Sequence, residues 1–365
     1  MSARHLLMMA GGTGGHIMPG LAVARMMQTR GWRVSWLGTS GGMEEHLVPQ
    51  AGFPLVTVAF DGWVGRGMIE RLGLPLKLLR ALRRVDQCFR RDLPDAVIGM
   101  GGFPTVPGGL WAALRRIPLL VHQSDVVAGS ANRLLARFAT RVLVGFSGAF
   151  EHYAAKRVVT GNPLRPGFAE APSVEARFAR REGRLRILVL GGSRGAAWLN
   201  ETVPAAIARL PAGTRPELLH QCGRGALEST RAAYLQAGVA ADVVEFVDDT
   251  LAAMLTADLF VGRSGASTVS ELAAVGLGSI LVPYPHHADQ QQTVNARVLV
   301  QAGAAHLLGQ GADGPGRLAT LIAGLDRAAC QRLAQAARAC AVTDATARIC
   351  DQVEAVAAEA AEGGR

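Results

Sequence analysis

With 365 residues, 49% of them apolar and 18% charged, the chain is long enough for two ordinary domains with separate cores. Its formal charge of +9 is carried almost wholly by arginine, Lys77 and Lys156 being the only lysines, and suits a phosphorylated substrate or an anionic membrane surface. A 5% aromatic content argues against a nucleic-acid partner read by stacking, and five cysteines without a CxxC pair indicate neither a disulfide framework nor a zinc site, but a reducing compartment.

Leu6 to Ala10 reads as a buried strand, Gly11 to His16 as a glycine loop, and Pro19 onward as a helix. Strand, glycine loop and helix bring backbone N–H groups close to a phosphate. Arg33 to Leu37 is the next strand. It lacks the acidic residue at its end that holds a ribose in dinucleotide enzymes, and Glu44 and Glu45 come several residues too late, which disfavours a dehydrogenase. Leu55 to Phe60 is a third strand, and Pro75 opens a helix through Arg91. Strands at Asp95–Gly99 and Leu119–His122 follow, and Arg141–Val144 closes a first parallel sheet.

After a turn-rich exit at Thr160–Arg165 and a linker with a short helix, the design restarts with Arg186–Leu190 and the loop Gly191–Ala196. Leu218–Gly223 and Val243–Asp248 are later strands, and Leu259–Val261 precedes the polar turn Arg263–Thr268. A helix is predicted from Thr268, capped by Ser267 or Thr268, with Glu271 one turn in, where a carboxylate accepts bonds from paired ribose hydroxyls. Ser279–Pro283 then delivers a loop holding Asp289, Gln290, Gln291 and Gln292, groups that read sugar hydroxyls. From Gly303 an alanine-rich tail reads as helical to about Ala361. The fold class is α/β: two Rossmann-like, doubly wound parallel-sheet domains facing a cleft, spanning 1–162 and 163–344, with a last helix at 345–365 able to return to the first domain. Ligands of such sheets lie beyond the carboxyl ends of the strands.

Six motifs, GGTGGH (Gly11–His16), GMGGFPTVPGG (Gly99–Gly109), TGNPLR (Thr160–Arg165), GGSRGA (Gly191–Ala196), RSGASTVSE (Arg263–Glu271) and DQQQTVNA (Asp289–Ala296), span most of the chain. In this set and order the chain resembles the bacterial glycosyltransferases that add N-acetylglucosamine to undecaprenyl-pyrophosphoryl-N-acetylmuramoyl pentapeptide. The resemblance implies the GT-B fold, UDP-N-acetylglucosamine as donor, no cofactor and no bound catalytic metal; no D-x-D motif is present. It further implies peptidoglycan synthesis, with its bearing on cell shape and division, by a peripheral enzyme on the cytoplasmic face of the inner membrane. For the donor it implies contacts at Thr13, Gly14, Gly15, Arg165, Ser193, the backbone of Val247, Ala266, Ser267, Thr268, Val269, Ser270, Glu271, Gln291 and Gln292. The family often shows HEQN where this chain has His122-Gln123-Ser124-Asp125. Gln123 is thereby excluded as a base, and Asp125, in place of an asparagine at the acetamido group, accepts but does not donate.

An inverting displacement needs a base for the acceptor 4-hydroxyl and positive charge for the departing diphosphate. His16 and Asp125 are the two candidate bases, His16 by its near-neutral titration. Another GT-B glycolipid synthase and a UDP-sugar epimerase are the alternatives. For the membrane, Phe60 to Arg91 is the candidate segment. Trp63, Met68, Ile69, Leu72, Leu74, Leu76, Leu78, Leu79 and Leu82 lie among Arg66, Arg71, Lys77, Arg80, Arg83 and Arg84, an amphipathic basic pattern suited to an interface.

Overall fold

Two compact units divide the chain, Met1–Arg165 with Asp344–Arg365, and Pro166–Thr343. The structure, a computed structural model, describes residues 3–60, 73–192, 195–287, 289–311 and 313–363.

The first unit runs β1 (His5–Ala10), α1 (Gly14–Thr29), β2 (Arg33–Thr39), α2 (Glu44–Gln50), β3 (Leu55–Val58), α3 (Leu74–Phe89), β4 (Ala96–Gly101), α4 (Thr105–Leu114), β5 (Leu119–Gln123), α5 (Ser130–Leu135), β6 (Arg141–Val144) and β7 (Arg157–Val159). The strands form one parallel sheet in the order β3-β2-β1-β4-β5-β6-β7. Helices cover both faces, so β1 and β4 are buried at every position and read as continuous apolar runs. Along β1 the side chains alternate: Leu6, Met8 and Ala10 join the core under α1, while Leu7 and Met9 join the core under α3, α4 and α5.

The second unit runs α6 (Val174–Phe178), β8 (Arg186–Leu190), α7 (Ala197–Ala208), β9 (Glu217–Gln221), α8 (Leu227–Gln236), β10 (Asp242–Val244), α9 (Thr250–Thr256), β11 (Leu259–Gly262), α10 (Ala266–Val275), β12 (Ser279–Leu281), α11 (Gln291–Gln301), β13 (Ala305–Leu307), α12 (Gly314–Ala323) and α13 (Arg327–Ala339). Its parallel sheet has the order β10-β9-β8-β11-β12-β13.

The last helix, α14 (Ala345–Gly363), belongs to the first unit. Ile349, Cys350, Val353, Val356 and Ala357 recur at helical spacing and are buried in the same core as α1. Arg30, just past the end of α1, donates to Asp351 and Glu354, each at 2.8 Å, and Arg141 to Glu359 at 2.7 Å. These pairs are largely exposed and fix register more than they stabilise.

Several boundaries differ from the sequence reading. Helix α1 starts at Gly14, not Pro19: the Thr13 carbonyl accepts from the N–H groups of His16 and Ile17, at 3.0 and 3.2 Å. Pro19 therefore lies inside the helix and withholds the N–H that would pair with the Gly15 carbonyl. β7, not β6, is the edge of the first sheet, and the expected helical tail contains β13 and a break between α13 and α14. Both missed strands have three residues, too few to show a period.

Candidate functional site

Each unit presents its glycine loops where the strand order reverses, between β1 and β4 in the first and between β8 and β11 in the second. Such switch points open a crevice at the carboxyl ends of the strands.

In the first unit the loops after β1 and β4 touch. Gly11 N–H reaches the Gly101 carbonyl at 3.4 Å, and a side chain at Gly102 would overlap the Gly11 backbone. Gly101 and Gly102 have φ of 116° and 89°, a region glycine enters without penalty. Against Gly101 lies the His16 ring, which a Cβ there would strike. Thr13 and Gly15 are exposed and Gly14 and His16 half-buried, all at the N-terminus of α1, where the first N–H groups lack helical partners. His16 Nδ1 lies 3.3 Å from the Gly11 carbonyl and 3.4 Å from Thr13 Oγ1. Burial lowers its pKa below the usual 6.5, while the Gly11 carbonyl, Asp125 and Glu44 pull upward. His122 is fully buried with Nε2 at 3.1 Å from the Gly161 carbonyl, and burial pushes it down to about 4, a structural neutral imidazole.

Asp125 is half-buried two residues beyond β5, and its charge acts on the His16 ring. The sequence departure beside it has a geometric use. Gln123 Nε2 donates to the carbonyls of Asp125 (3.0 Å) and Val127 (3.1 Å), and its Oε1 accepts from Gly129 N–H (3.3 Å) and Asn132 Nδ2 (2.9 Å). A carboxylate in that position could not make the two donations.

In the second unit, Arg263 N–H reaches the Leu190 carbonyl at 3.3 Å, joining the exits of β8 and β11. Helix α10 starts at Ala266 behind Gly265, and neither Ser267 nor Thr268 caps it, contrary to the sequence reading. Its first N–H groups, at Ala266, Ser267 and Thr268, thus stay available to an anion or carbonyl. Ala266, Val269 and Glu271 are buried; Ser267, Thr268 and Ser270 are half-buried. The α10 C-terminus receives two guanidinium groups, Arg177 donating to the Gly276 carbonyl and Arg338 to the Ala274 carbonyl, charges that oppose the dipole there. Burial, then the neighbouring Arg181 and Arg338, bring Arg177 down to about 10, so it stays charged at neutral pH.

Gln221 is a residue the sequence reading passed over. Its Oε1 accepts from Val247 N–H and its Nε2 donates to the Gly192 carbonyl, both at 3.1 Å, so one buried amide braces two of the loops. Val247 thereby has its N–H engaged, its carbonyl accepts from Thr250 Oγ1 at 3.4 Å, and the exposed Phe246 stands beside it. Gln292 is bound into its own loop: Oε1 accepts from Tyr284 N–H at 2.9 Å, and its carbonyl accepts from Ser264 Oγ at 2.8 Å. Gln291 Nε2 lies 3.0 Å from His287 Nδ1. Arg263 donates to the carbonyls of Val282 and Pro283 at 3.0 Å and stacks on Tyr284, shaping that loop. Asp249 caps α9 through Ala252 N–H at 2.8 Å. Arg165 is half-buried at the end of the first unit, and Ser193 lies outside the described residues.

Helix α3 has Ala81, Val85 and Phe89 in the core and Leu74, Leu78 and Leu82 packed against it. Leu76 and Leu79 are 52% and 43% exposed, among the exposed Arg80, Arg83 and Arg84 and the half-buried Lys77. Trp63, Arg66, Met68, Ile69, Arg71 and Leu72 lie outside the described residues. Among the described residues no helix is long and apolar enough to cross a membrane.

Comparison with known proteins joins the two halves. The glycosyltransferase family 28 N-terminal domain matches residues 6–144 and the family 28 C-terminal domain residues 186–353. The chain is 49% identical over 351 residues to the UDP-N-acetylglucosamine–N-acetylmuramyl-(pentapeptide) pyrophosphoryl-undecaprenol N-acetylglucosamine transferase of Ralstonia nicotianae, covering 95% of each chain. It is 46% identical to the Neisseria meningitidis serogroup B protein of the same name, covering 98% of this chain and 100% of that one. The crystal structure of Acinetobacter baumannii MurG superposes with a TM-score of 0.85 at 35% identity, over 96% of this chain and 99% of that one. With both domains matched and the likeness running nearly end to end, the chain belongs to glycosyltransferase family 28, among the UDP-N-acetylglucosamine–N-acetylmuramyl-(pentapeptide) pyrophosphoryl-undecaprenol N-acetylglucosamine transferases.

Proposed function

We propose that this chain transfers N-acetylglucosamine from UDP-N-acetylglucosamine to the 4-hydroxyl of the muramoyl sugar of undecaprenyl-pyrophosphoryl-N-acetylmuramoyl pentapeptide, in peptidoglycan synthesis. The observation that carries it is the near-full-length likeness to relatives named for that reaction. The second unit reads the donor. Glu271 takes the ribose hydroxyls, the backbone at Val247 and Ala266 takes the uracil edge with Phe246 offering a face, and Gln291 and Gln292 take the hexose. Release of Gln292 from Tyr284 accompanies that last contact. Arg165, Ser193 and the helix N-terminal amides, including Thr13, Gly14 and Gly15, serve the diphosphate.

The acceptor hydroxyl attacks the anomeric carbon, the bond to UDP breaks with inversion, and the hydroxyl proton passes to a base. His16 is that base through Nε2, because Nδ1 is committed to the Gly11 carbonyl; Asp125 supports the imidazolium that forms and takes the acetamido N–H. The first unit attaches to an anionic membrane surface through the Leu76 and Leu79 side of α3 and its cations, placing the enzyme peripherally on the cytoplasmic face of the inner membrane and linking it to cell shape and division.

UDP release by the purified full chain tests the reading. Release that requires the lipid-linked muramoyl acceptor, with the acceptor gaining one N-acetylglucosamine, is expected. Acceptor-independent release of UDP with an epimerised sugar overturns it in favour of an epimerase.

A further inference from the structure

The carboxylate missing from the end of β2 in the sequence is present in space. Glu44, the first residue of α2, folds back beneath the glycine loop and is fully buried. Its Oε1 accepts from Thr39 N–H at 2.8 Å and from Thr39 Oγ1 at 2.6 Å, and its Oε2 accepts from Gly12 N–H at 3.3 Å. Three glycines from three segments make the room: a Cβ at Gly11, Gly38 or Gly42 would overlap the Glu44 side chain. A buried carboxylate is costly unless bonded and charged against donors, and here the donors come from the end of β2 and from the loop itself. A dinucleotide fold uses a carboxylate near this point to hold a ribose. In this chain the carboxylate is turned inward, onto its own loop.

We propose that Glu44 is a positioning residue for the reaction: its carboxylate ties Gly12 to the end of β2 and so fixes the loop that presents Gly14, Gly15 and His16. The inference rests on the reading of that loop as the one that carries the base and offers amides to the diphosphate. Burial by itself would raise the Glu44 pKa, but the bonds from Thr39 and Gly12 outweigh it and hold the group ionised. The ionised groups in whose field His16 titrates are Glu44 from α2 and Asp125 from the loop after β5; the buried His122 of β5 also faces it and is neutral. The loop thus gains a second property from Glu44: a fixed negative charge that favours the imidazolium formed when His16 takes a proton.

The test compares Glu44→Gln, Glu44→Asp and Thr39→Val in the full chain. Glu44→Gln keeps the volume and removes the charge. It should lower kcat roughly 10- to 100-fold, the scale of a small misplacement of reacting groups, and move the acid limb of the pH profile for kcat/KM to lower pH, with any loss of UDP affinity through the loop amides smaller than the loss of kcat. Glu44→Asp keeps the charge but is one methylene short of Gly12; it should lower kcat while leaving the acid limb in place. Thr39→Val removes one donor and should give a smaller loss in the same direction, which keeps the test intact where Glu44→Gln folds poorly. A loss of kcat that exceeds the loss of UDP affinity, split from the movement of the limb in this way, is not what general destabilisation produces. Unchanged kcat in both Glu44 variants overturns the proposal, as does a loss of UDP affinity larger than the loss of kcat. His16→Ala, run beside them, separates the two ideas. Normal turnover there removes His16 as base, while a loss in Glu44→Gln still reports on the loop amides.

Discussion

His16 Nδ1 faces the carbonyl oxygen of Gly11, five residues back in the chain, at 3.3 Å. A carbonyl only accepts, so the Nδ1 proton is fixed and the Nε2 lone pair is left for chemistry. Burial keeps the ring neutral at pH 7. His16→Ala should lower turnover by about a hundredfold or more, the scale of general-base loss, with UDP affinity little changed. The base form is the active one, so activity falls as pH drops through the His16 pKa, and the acid limb should lie below the ordinary 6.5. A near-normal turnover in the variant makes Asp125 the base.

Glu271 is only 5% exposed on α10, one turn beyond the free N–H groups. Glu271→Ala removes a charged acceptor for ribose hydroxyls and should cost roughly 1.5–3 kcal/mol of UDP binding, about 10- to 150-fold in Kd. Calorimetric titration with UDP checks this, and unchanged affinity takes Glu271 out of the site.

Reversing Lys77, Arg80 and Arg84 to Glu should weaken co-sedimentation with anionic vesicles by roughly a hundredfold or more at low salt, since each cation near such a surface is worth about 1 kcal/mol. The difference should shrink as salt rises. UDP binding should be unaffected. Equal vesicle binding by parent and variant at low salt rejects the surface.

Ile349 is fully buried where α14 lies on α1. Ile349→Ala should destabilise the first unit by about 2–5 kcal/mol. Thermal unfolding should begin at a lower temperature than in the parent chain. An unchanged melting temperature contradicts the packing role of Ile349.

The repeated strand, glycine loop and helix were legible because parallel strands covered on both faces leave uninterrupted apolar runs. The runs ending at Ala10, Leu190 and Val261 located the loops of both switch points. What escaped is short or long-range. β7 and β13 are too brief to carry a period. Glu44 stood too far from β2 in sequence, yet α2 returns it to the strand end. Gln221 looked like the tail of a strand, and its bracing of Gly192 and Val247 needs two other loops. The start of α1 at Gly14 was hidden by Pro19, usually a first-turn residue. The α10 capping expectation failed because Gly265 takes the cap position and Ser267 and Thr268 fall inside the helix.

The return of α14 also sets an order of events during synthesis. The core against α1 includes Ile349, Val353 and Val356, which leave the ribosome after the whole second unit, Pro166–Thr343. At typical elongation rates of about 5–20 residues per second, the seat for α14 stays open for roughly ten to forty seconds. The second unit has all its residues in one stretch and completes first; the unit that begins the chain finishes last. A chain released before Ala345 therefore carries every residue of the second unit and an uncovered apolar strip on the first, a surface for chaperones to hold or for proteases to find.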